Sequence, residues 1–225
     1  MDFLKFNPNF GVRMTKDEVY KILQQEIVTN IIPAGEVLNE KDLMKRFKIG
    51  RSPLRDVLVK LHMEELLNSF PRLGYLVTSH DISEVRELVE LRRELEGFVG
   101  TLATERISQE QLERIKTVVE KAEKEQPSQA SIKNISDYFD TQFHSILYEA
   151  TQNRKLIKIL GELHIKMLRI WFHIGFDTVE FSTKIEGMKQ VIQALEEKDA
   201  QKARKALEEH MDVYAAQMKE KFITI

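Results

Sequence analysis

Asp140 and His144 stand four residues apart in the stretch YFDTQFHSI. Four residues advance an α-helix by about 400°, so this carboxylate and imidazole share a helix face to within about 40°. The spacing serves a pair of metal ligands, and equally a pair of polar residues that only share a face. A third donor raises the value of the pair. An antiparallel helical hairpin sets residues equidistant from its turn side by side, and the last break in helical periodicity falls at Asp199. His210 lies 11 residues after that break, and the position 11 before it is Met188. Asp140, His144 and His210 offer the oxygen and nitrogen donors that Zn²⁺, Ni²⁺ or Mn²⁺ take, whereas a thioether is a poor ligand for these ions. Three ligands still hold an ion when water or a bound carboxylate completes the shell. The alternative is a polar pocket wall with no ion. His164 or His173, on a neighbouring apolar stretch, is a candidate substitute ligand, though no spacing assigns either to the group.

The rest of the chain limits what can surround these residues. Its 225 residues suit one large domain or two modest ones, and 42% hydrophobic content allows a real core. With 31% charged residues, 9 glycines and 5 prolines, the composition favours a mostly helical protein. The absence of cysteine excludes disulfides and thiolate metal sites. No apolar run approaches the ~20 residues that span a bilayer, and MDFLKFNPNF lacks a charged-then-apolar signal pattern. The expectation is a cytoplasmic protein with no membrane partner.

Charge is spread unevenly. Residues 1–78 carry a net +2 and residues 79–225 a net −4, while KDLMKRFKIGRSPLR (41–55) sets six basic residues against one acid. A polyanion partner is therefore expected for the first part of the chain. The elements around that patch are readable. A helix runs from about Thr15 to Thr29, capped by Thr15. Pro33 and Gly35 break it. A second helix in NEKDLMKRF is capped by Asn39, and KIG makes a turn. A third helix opens in GRSPLRDVLVKLHMEELL with Pro53 in its first turn and either Gly50 or Ser52 as cap. Its buried stripe of Leu54, Val57, Leu58 and Leu61 leaves Arg51, Ser52 and Arg55 outward. The period then changes to that of two short strands around a turn holding Pro71 and Gly74. Three helices and a hairpin are the order of a winged helix-turn-helix. Arg51, Ser52 and Arg55 supply donors for base edges and phosphates, Lys41, Lys45 and Lys48 add charge, and Arg72 and Gly74 fall at the wing tip.

From Asp81 onward only helical periodicity appears, interrupted at QPSQA and around Asp199, with the boundary at VTSHDI (77–82). The expected fold is mostly α, an N-terminal winged helix-turn-helix over 1–78 and a C-terminal all-α bundle over 79–225.

The run AGEVLNEKDLMKRFKIGRSPLRDVLVKLHMEELL followed by PRLGYLV resembles the N-terminal domain of GntR-superfamily bacterial transcription regulators. That family shows P-G-x-x-L, E-x-x-L-A, S-R-T-P-V-R-E-A-L and a G-x-x-V wing. This chain has Pro33-Ala34-Gly35 for the first glycine turn, Gly50 for serine, Ser52 for threonine and Asp56 for glutamate. The resemblance covers residues 15–78 and implies DNA contacts at Lys41, Arg51, Ser52, Arg55 and the wing from Arg72 to Gly74.

VRELVELRRELEG joined to an all-helical remainder is similar to the FadR-like branch, whose FCD-type C-terminal bundle of six to seven helices binds a small effector and dimerises. Members with a metal use Asp-x-x-x-His on one helix and two histidines from the last two helices. Asp140, His144 and His210 match three of these positions, and Met188 stands at the fourth. Arg92 matches an inward-facing arginine of the branch, where it pairs with an effector carboxylate or with Glu96 one turn on. Asn153 and Arg169 are further candidates for the effector cavity.

The resemblance implies a homodimeric regulator, in its commoner role a repressor, on a near-palindromic double-stranded DNA operator. A small organic anion would control operator binding. The rival is a metal-dependent hydrolase or lyase with an accessory winged domain. It needs a nucleophile or base beside the metal, and Asp140 and His144 would already be ligands. No phosphate loop or nucleophile elbow is present, so the chain reads as a non-enzyme.

Overall fold

The computed structural model describes residues 14–79, 82–125, 132–174 and 178–224. The QPSQA break and the N-terminal MDFLKFNPNF lie outside the described residues. Backbone contacts divide the chain into two compact units, Met1–Asp81 and Ile82–Ile225.

In the first unit, α1 (Lys16–Val28) starts at a capping box. The Thr15 hydroxyl accepts from the Glu18 amide, and the Glu18 carboxylate accepts from the Thr15 amide. At α2 (Glu40–Phe47), Asn39 Oδ1 accepts from the Lys41 amide at 2.9 Å, and Lys48 closes the helix in the left-handed region at φ 49°. α3 (Arg51–Met63) begins after Gly50, which holds the cap position with extended backbone, so Ser52 lies inside the helix. Val19, Leu23, Phe47, Leu54, Leu58 and Leu61 pack the three helices together.

β2 (Leu67–Phe70) and β3 (Gly74–Val77) pair antiparallel, with Phe70 opposite Gly74. A third strand, β1 (Val37–Leu38), adds to the other edge of β3, giving the order β1-β3-β2. The sequence reading has only a helix break here, because two residues are too few to display a period of two. Gly35 makes the approach possible. Its φ of +82° suits a residue without Cβ, and its amide donates to the Val77 carbonyl at 2.9 Å.

Among the described residues the second unit has six helices: α4 (Ile82–Arg106), α5 (Gln109–Lys124), α6 (Ile132–Ala150), α7 (Arg154–Ile174), α8 (Thr178–Glu196) and α9 (Ala200–Thr224). α4 lies along α9, α9 along α8, α5 against α6 and α8, and both α6 and α7 against α4. Asp199 forms the α8–α9 turn and caps α9, its Oδ1 accepting from the Gln201 and Lys202 amides at 3.1 and 2.9 Å.

The α4–α9 contact depends on Gly100. A Cβ there would stand 2.7 Å from the carbonyl carbon and oxygen of Ala203 and 2.8 Å from the Arg204 amide nitrogen. These are backbone atoms, so α9 itself would have to move. Gly100→Ala should therefore destabilise the protein by about 1 kcal/mol or more, despite the roughly 1 kcal/mol that alanine gains over glycine inside a helix. Urea unfolding followed by circular dichroism reads this directly. A midpoint at or above that of the parent chain would show that the helices part without cost.

Candidate functional site

The buried stripe of α4, with Val85, Leu88 and Val89 before and Val99, Leu102 and Ala103 after, is interrupted by Arg92 and Glu96, 1% and 0% exposed. One helical turn apart, they meet with Arg92 Nε donating to Glu96 Oε1 at 3.0 Å. A buried ion pair is tolerable only when its other polar atoms are served. Arg92 Nη2 lies 3.2 Å from both the Tyr148 hydroxyl and His164 Nδ1, and the Tyr148 hydroxyl donates to Glu96 Oε1 at 2.5 Å. A guanidinium can only donate, so His164 Nδ1 accepts. The ring hydrogen then sits on Nε2 and is donated to Thr141 Oγ1 at 3.1 Å. Both His164 nitrogens are thereby engaged, which removes it as a substitute ligand. Burial, reinforced by Arg92, lowers its pKa to about 3. Burial by itself would raise the Glu96 carboxyl; His144, Arg92 and the Tyr148 hydrogen bond outweigh it and hold the group well below the usual carboxylate range.

Asp140 and His144 on α6 and His210 on α9 come together beside this network. All three are buried, and one ligand atom from each lies within 4.8 Å of the others. His144 Nε2 is 3.8 Å from Asp140 Oδ1, and its Nδ1 is 3.4 Å from Glu96 Oε1, the reach of an ion pair more than of an aligned hydrogen bond. Gly187 of α8 gives the His210 ring its room, because a Cβ there would stand 3.0 Å from His210 Nδ1. Burial, then His144, lowers the His210 pKa to about 3. Both Asp140 oxygens and His210 Nε2 are buried without a hydrogen-bond partner among the described residues.

Sequence reasoning missed Lys184. It lies one turn before Met188 on the inward face of α8 and is 2% exposed. Its Nζ donates to the Tyr214 hydroxyl at 2.5 Å and stands 4.0 Å from the Tyr214 ring centroid, 4.9 Å from that of Trp171 and 3.9 Å from Asp140 Oδ1. The two rings meet edge to face at 4.6 Å. Burial would raise the Asp140 carboxyl, but Lys184 first, then His144, His164 and His210, hold it below the usual range. The signal available was a lysine in phase with Phe181, Ile185 and Met188.

The other candidates fall as follows. Met188 is 2% exposed within the core. Asn153 Oδ1 accepts from the Lys155 and Leu156 amides at 3.2 Å each, capping α7. Arg169 is buried on α7, and burial, opposed by Glu84, lowers its pKa to about 10.

The three donors suit a divalent ion by type and separation. α8 brings the Lys184 ammonium beside Asp140 rather than a fourth nitrogen ligand. A dication on Asp140 would share that carboxylate with an ammonium 3.9 Å away, in an interior that screens like charges weakly. As they stand, the residues do not fit a divalent metal.

In the first unit, Lys41, Arg51, Ser52, Arg55 and Arg72 are exposed and Gly74 is half-buried. Arg51 and Ser52 open α3, and Arg55 follows one turn on, its Nε 3.6 Å from Glu40 Oε2. Such an exposed pair is weak and exchanges readily for a phosphate or base. Arg72 (φ +69°) and Gly74 (φ +95°) shape the β2–β3 turn.

Residues 15–77 match the family model of bacterial regulatory proteins, gntR family, and residues 87–213 match that of the FCD domain. The chain belongs to the GntR family, with an FCD domain in its second unit. Members of this family are DNA-binding transcription regulators, not enzymes, which sets aside the metal-dependent hydrolase or lyase. Similar relatives include the HTH-type transcriptional repressor RspR of Escherichia coli (24% identical, covering 86% of this chain and 84% of the relative). Another is the gluconate operon transcriptional repressor of Bacillus licheniformis (22% identical, covering 84% and 79%). Among solved structures, E. coli McbR/YncC shares the fold, with a TM-score of 0.76 at 20% identity over 92% of this chain and 98% of that one. No helix among the described residues is long and apolar enough to cross a membrane.

The buried imidazoles make stability depend on pH. His164 and His210 have folded values of about 3 against an ordinary 6.5, so between these limits the unfolded chain takes up protons that the folded chain refuses. Their contribution is complete above pH 6.5 and is lost progressively toward pH 3. The depressed carboxyls of Asp140 and Glu96 act in the same sense at the acid end. Urea midpoints should fall between about pH 7.5 and about pH 4.5, and His164→Gln should flatten that fall. An equal slope in the variant would mean that the protons are taken up elsewhere.

Proposed function

We propose that the chain is a repressor that binds a near-palindromic double-stranded DNA operator as a homodimer, and that a small organic anion in the helical unit controls this binding. The observation that carries the reading is the exposed trio Arg51, Ser52 and Arg55 at the start of α3, in a unit matching a DNA-binding family. Arginine is suited to the O6 and N7 edge of guanine, and serine and lysine to phosphates. Arg51 and Arg55 are assigned to base edges, Ser52 and Lys41 to the backbone, and Arg72 with Gly74 to the wing contact.

The Asp140 oxygens, which have no hydrogen-bond partner among the described residues, support a ligand with hydroxyl or amine hydrogens to donate, and His210 Nε2 offers it a further polar contact. A relative named for the gluconate operon supports a hydroxylated carboxylate as the effector class. Arg169 is the candidate partner for the effector's negative charge. Arg92 and Asn153 act through the elements they hold, Arg92 by ordering Glu96, Tyr148 and His164, and Asn153 by starting α7. A bound anion then shifts the balance between DNA-competent and other dimers by its difference in affinity for them. No step passes through a divalent ion.

The test is binding to an operator selected by the parent protein from random duplexes, read by fluorescence anisotropy. Arg51→Ala and Arg55→Ala should each weaken specific binding by about tenfold or more, with an unchanged melting temperature. If both variants bind as the parent does, α3 is not the reading helix.

A further inference from the structure

We infer that Lys184 takes the place of a metal in the Asp140 site, its ammonium being the resident cation that the site is built around. α8 is the helix from which a fourth ligand would come, since its Gly187 lies against the His210 ring. What α8 turns inward there is Lys184, 2% exposed. A lysine usually carries its charge out to water along a long stem. The contacts that hold this one inside include the hydroxyl of Tyr214, the face of the same ring and the face of Trp171. An accepting hydroxyl oxygen and aromatic faces are what a buried ammonium needs in place of water.

The charges of the cluster agree with this. Arg92 stands within ion-pair distance of Glu96, and Lys184 within ion-pair distance of Asp140. A divalent ion would add charge that no further buried carboxylate among the described residues offsets. Its ligand Asp140 would also be divided between two cations. Of the three donors with which Asp140, His144 and His210 resemble a metal site, Asp140 thus already serves a cation of the chain's own.

The test uses the full-length chain, purified without affinity tag or chelator, and needs no DNA. Metal content is measured by inductively coupled plasma mass spectrometry after dialysis against Zn²⁺, Ni²⁺ or Mn²⁺. Affinity is read from the rise in melting temperature with each ion. The parent protein should retain substoichiometric metal and show no rise. Lys184→Met, which removes the charge and keeps the length, should bind at least one of these ions about tenfold or more tighter than the parent. Lys184→Gln repeats the test with a polar neutral group should the first variant melt below working temperature. Stoichiometric metal in the parent protein overturns the inference, and so does a folded variant that binds no tighter. Because the readout is metal on the purified protein, its failure leaves the DNA reading standing, and loss of the DNA reading leaves this one untouched.

Discussion

A guanidinium and a carboxylate removed from water cost several kcal/mol each, and their mutual attraction offsets this only when the remaining donors and acceptors are also served. Arg92 and Glu96 place that constraint on the helical unit. The partners they need do not lie on α4. Tyr148 comes from α6 and His164 from α7, and His164 in turn engages Thr141 on α6. Three helices are therefore fixed in rotation and height by one ion pair, because a slip of any of them would leave a buried charge or ring nitrogen without a partner. Apolar packing alone tolerates such slips much better, since a leucine accepts many neighbours. Asp140 and Lys184 extend the same constraint to α8 and, through Tyr214, to α9.

The elements of the first unit were legible because their determinants are local. Thr15 with Glu18 and Asn39 with the amides beyond it are caps whose partners lie within three residues. The outward face of α3 follows from its buried leucines. β1 was not legible, because its two residues become a strand only through β3 nearly 40 positions later. In the helical unit, His210 could be aligned with Met188 because a helical hairpin around Asp199 is also a local geometry. Lys184 could have been reached by the same count, one turn before Met188. It reads as a solvated charge until Trp171 and Tyr214, from two other helices, are seen to enclose it. The two fates weighed for Arg92, an effector or Glu96, could not be separated by spacing. The contact with Glu96 is an i to i+4 pair in either case, and the contacts with Tyr148 and His164 lie 56 and 72 residues away.

The two units treat charge in opposite ways, and their chemistry follows. On α2 and α3 the cations stay in water, where pairs such as Arg55 with Glu40 cost little to open. Phosphates can take them over and release counterions in doing so. In the helical unit Arg92, Glu96, Asp140 and Lys184 are enclosed, and an incoming group there must displace or add to a contact already made. That makes the second unit selective by nature. A ligand that cannot present hydrogens to Asp140 or an acceptor to the cations leaves buried groups worse served than before.

This requirement also limits how a ligand can act on the fold. Asp140 belongs to α6, Lys184 to α8 and Tyr214 to α9, and the Lys184 ammonium touches all three elements through one nitrogen. A ligand group that hydrogen-bonds to Asp140 competes with the ammonium for it, so the preferred seat of Nζ shifts toward Tyr214 and Trp171. In a close-packed interior such a shift cannot be absorbed by empty space and moves the side chains that line the α8–α9 contact. On the proposed reading, a small molecule would gain influence over helix packing by changing how an existing buried charge is shared.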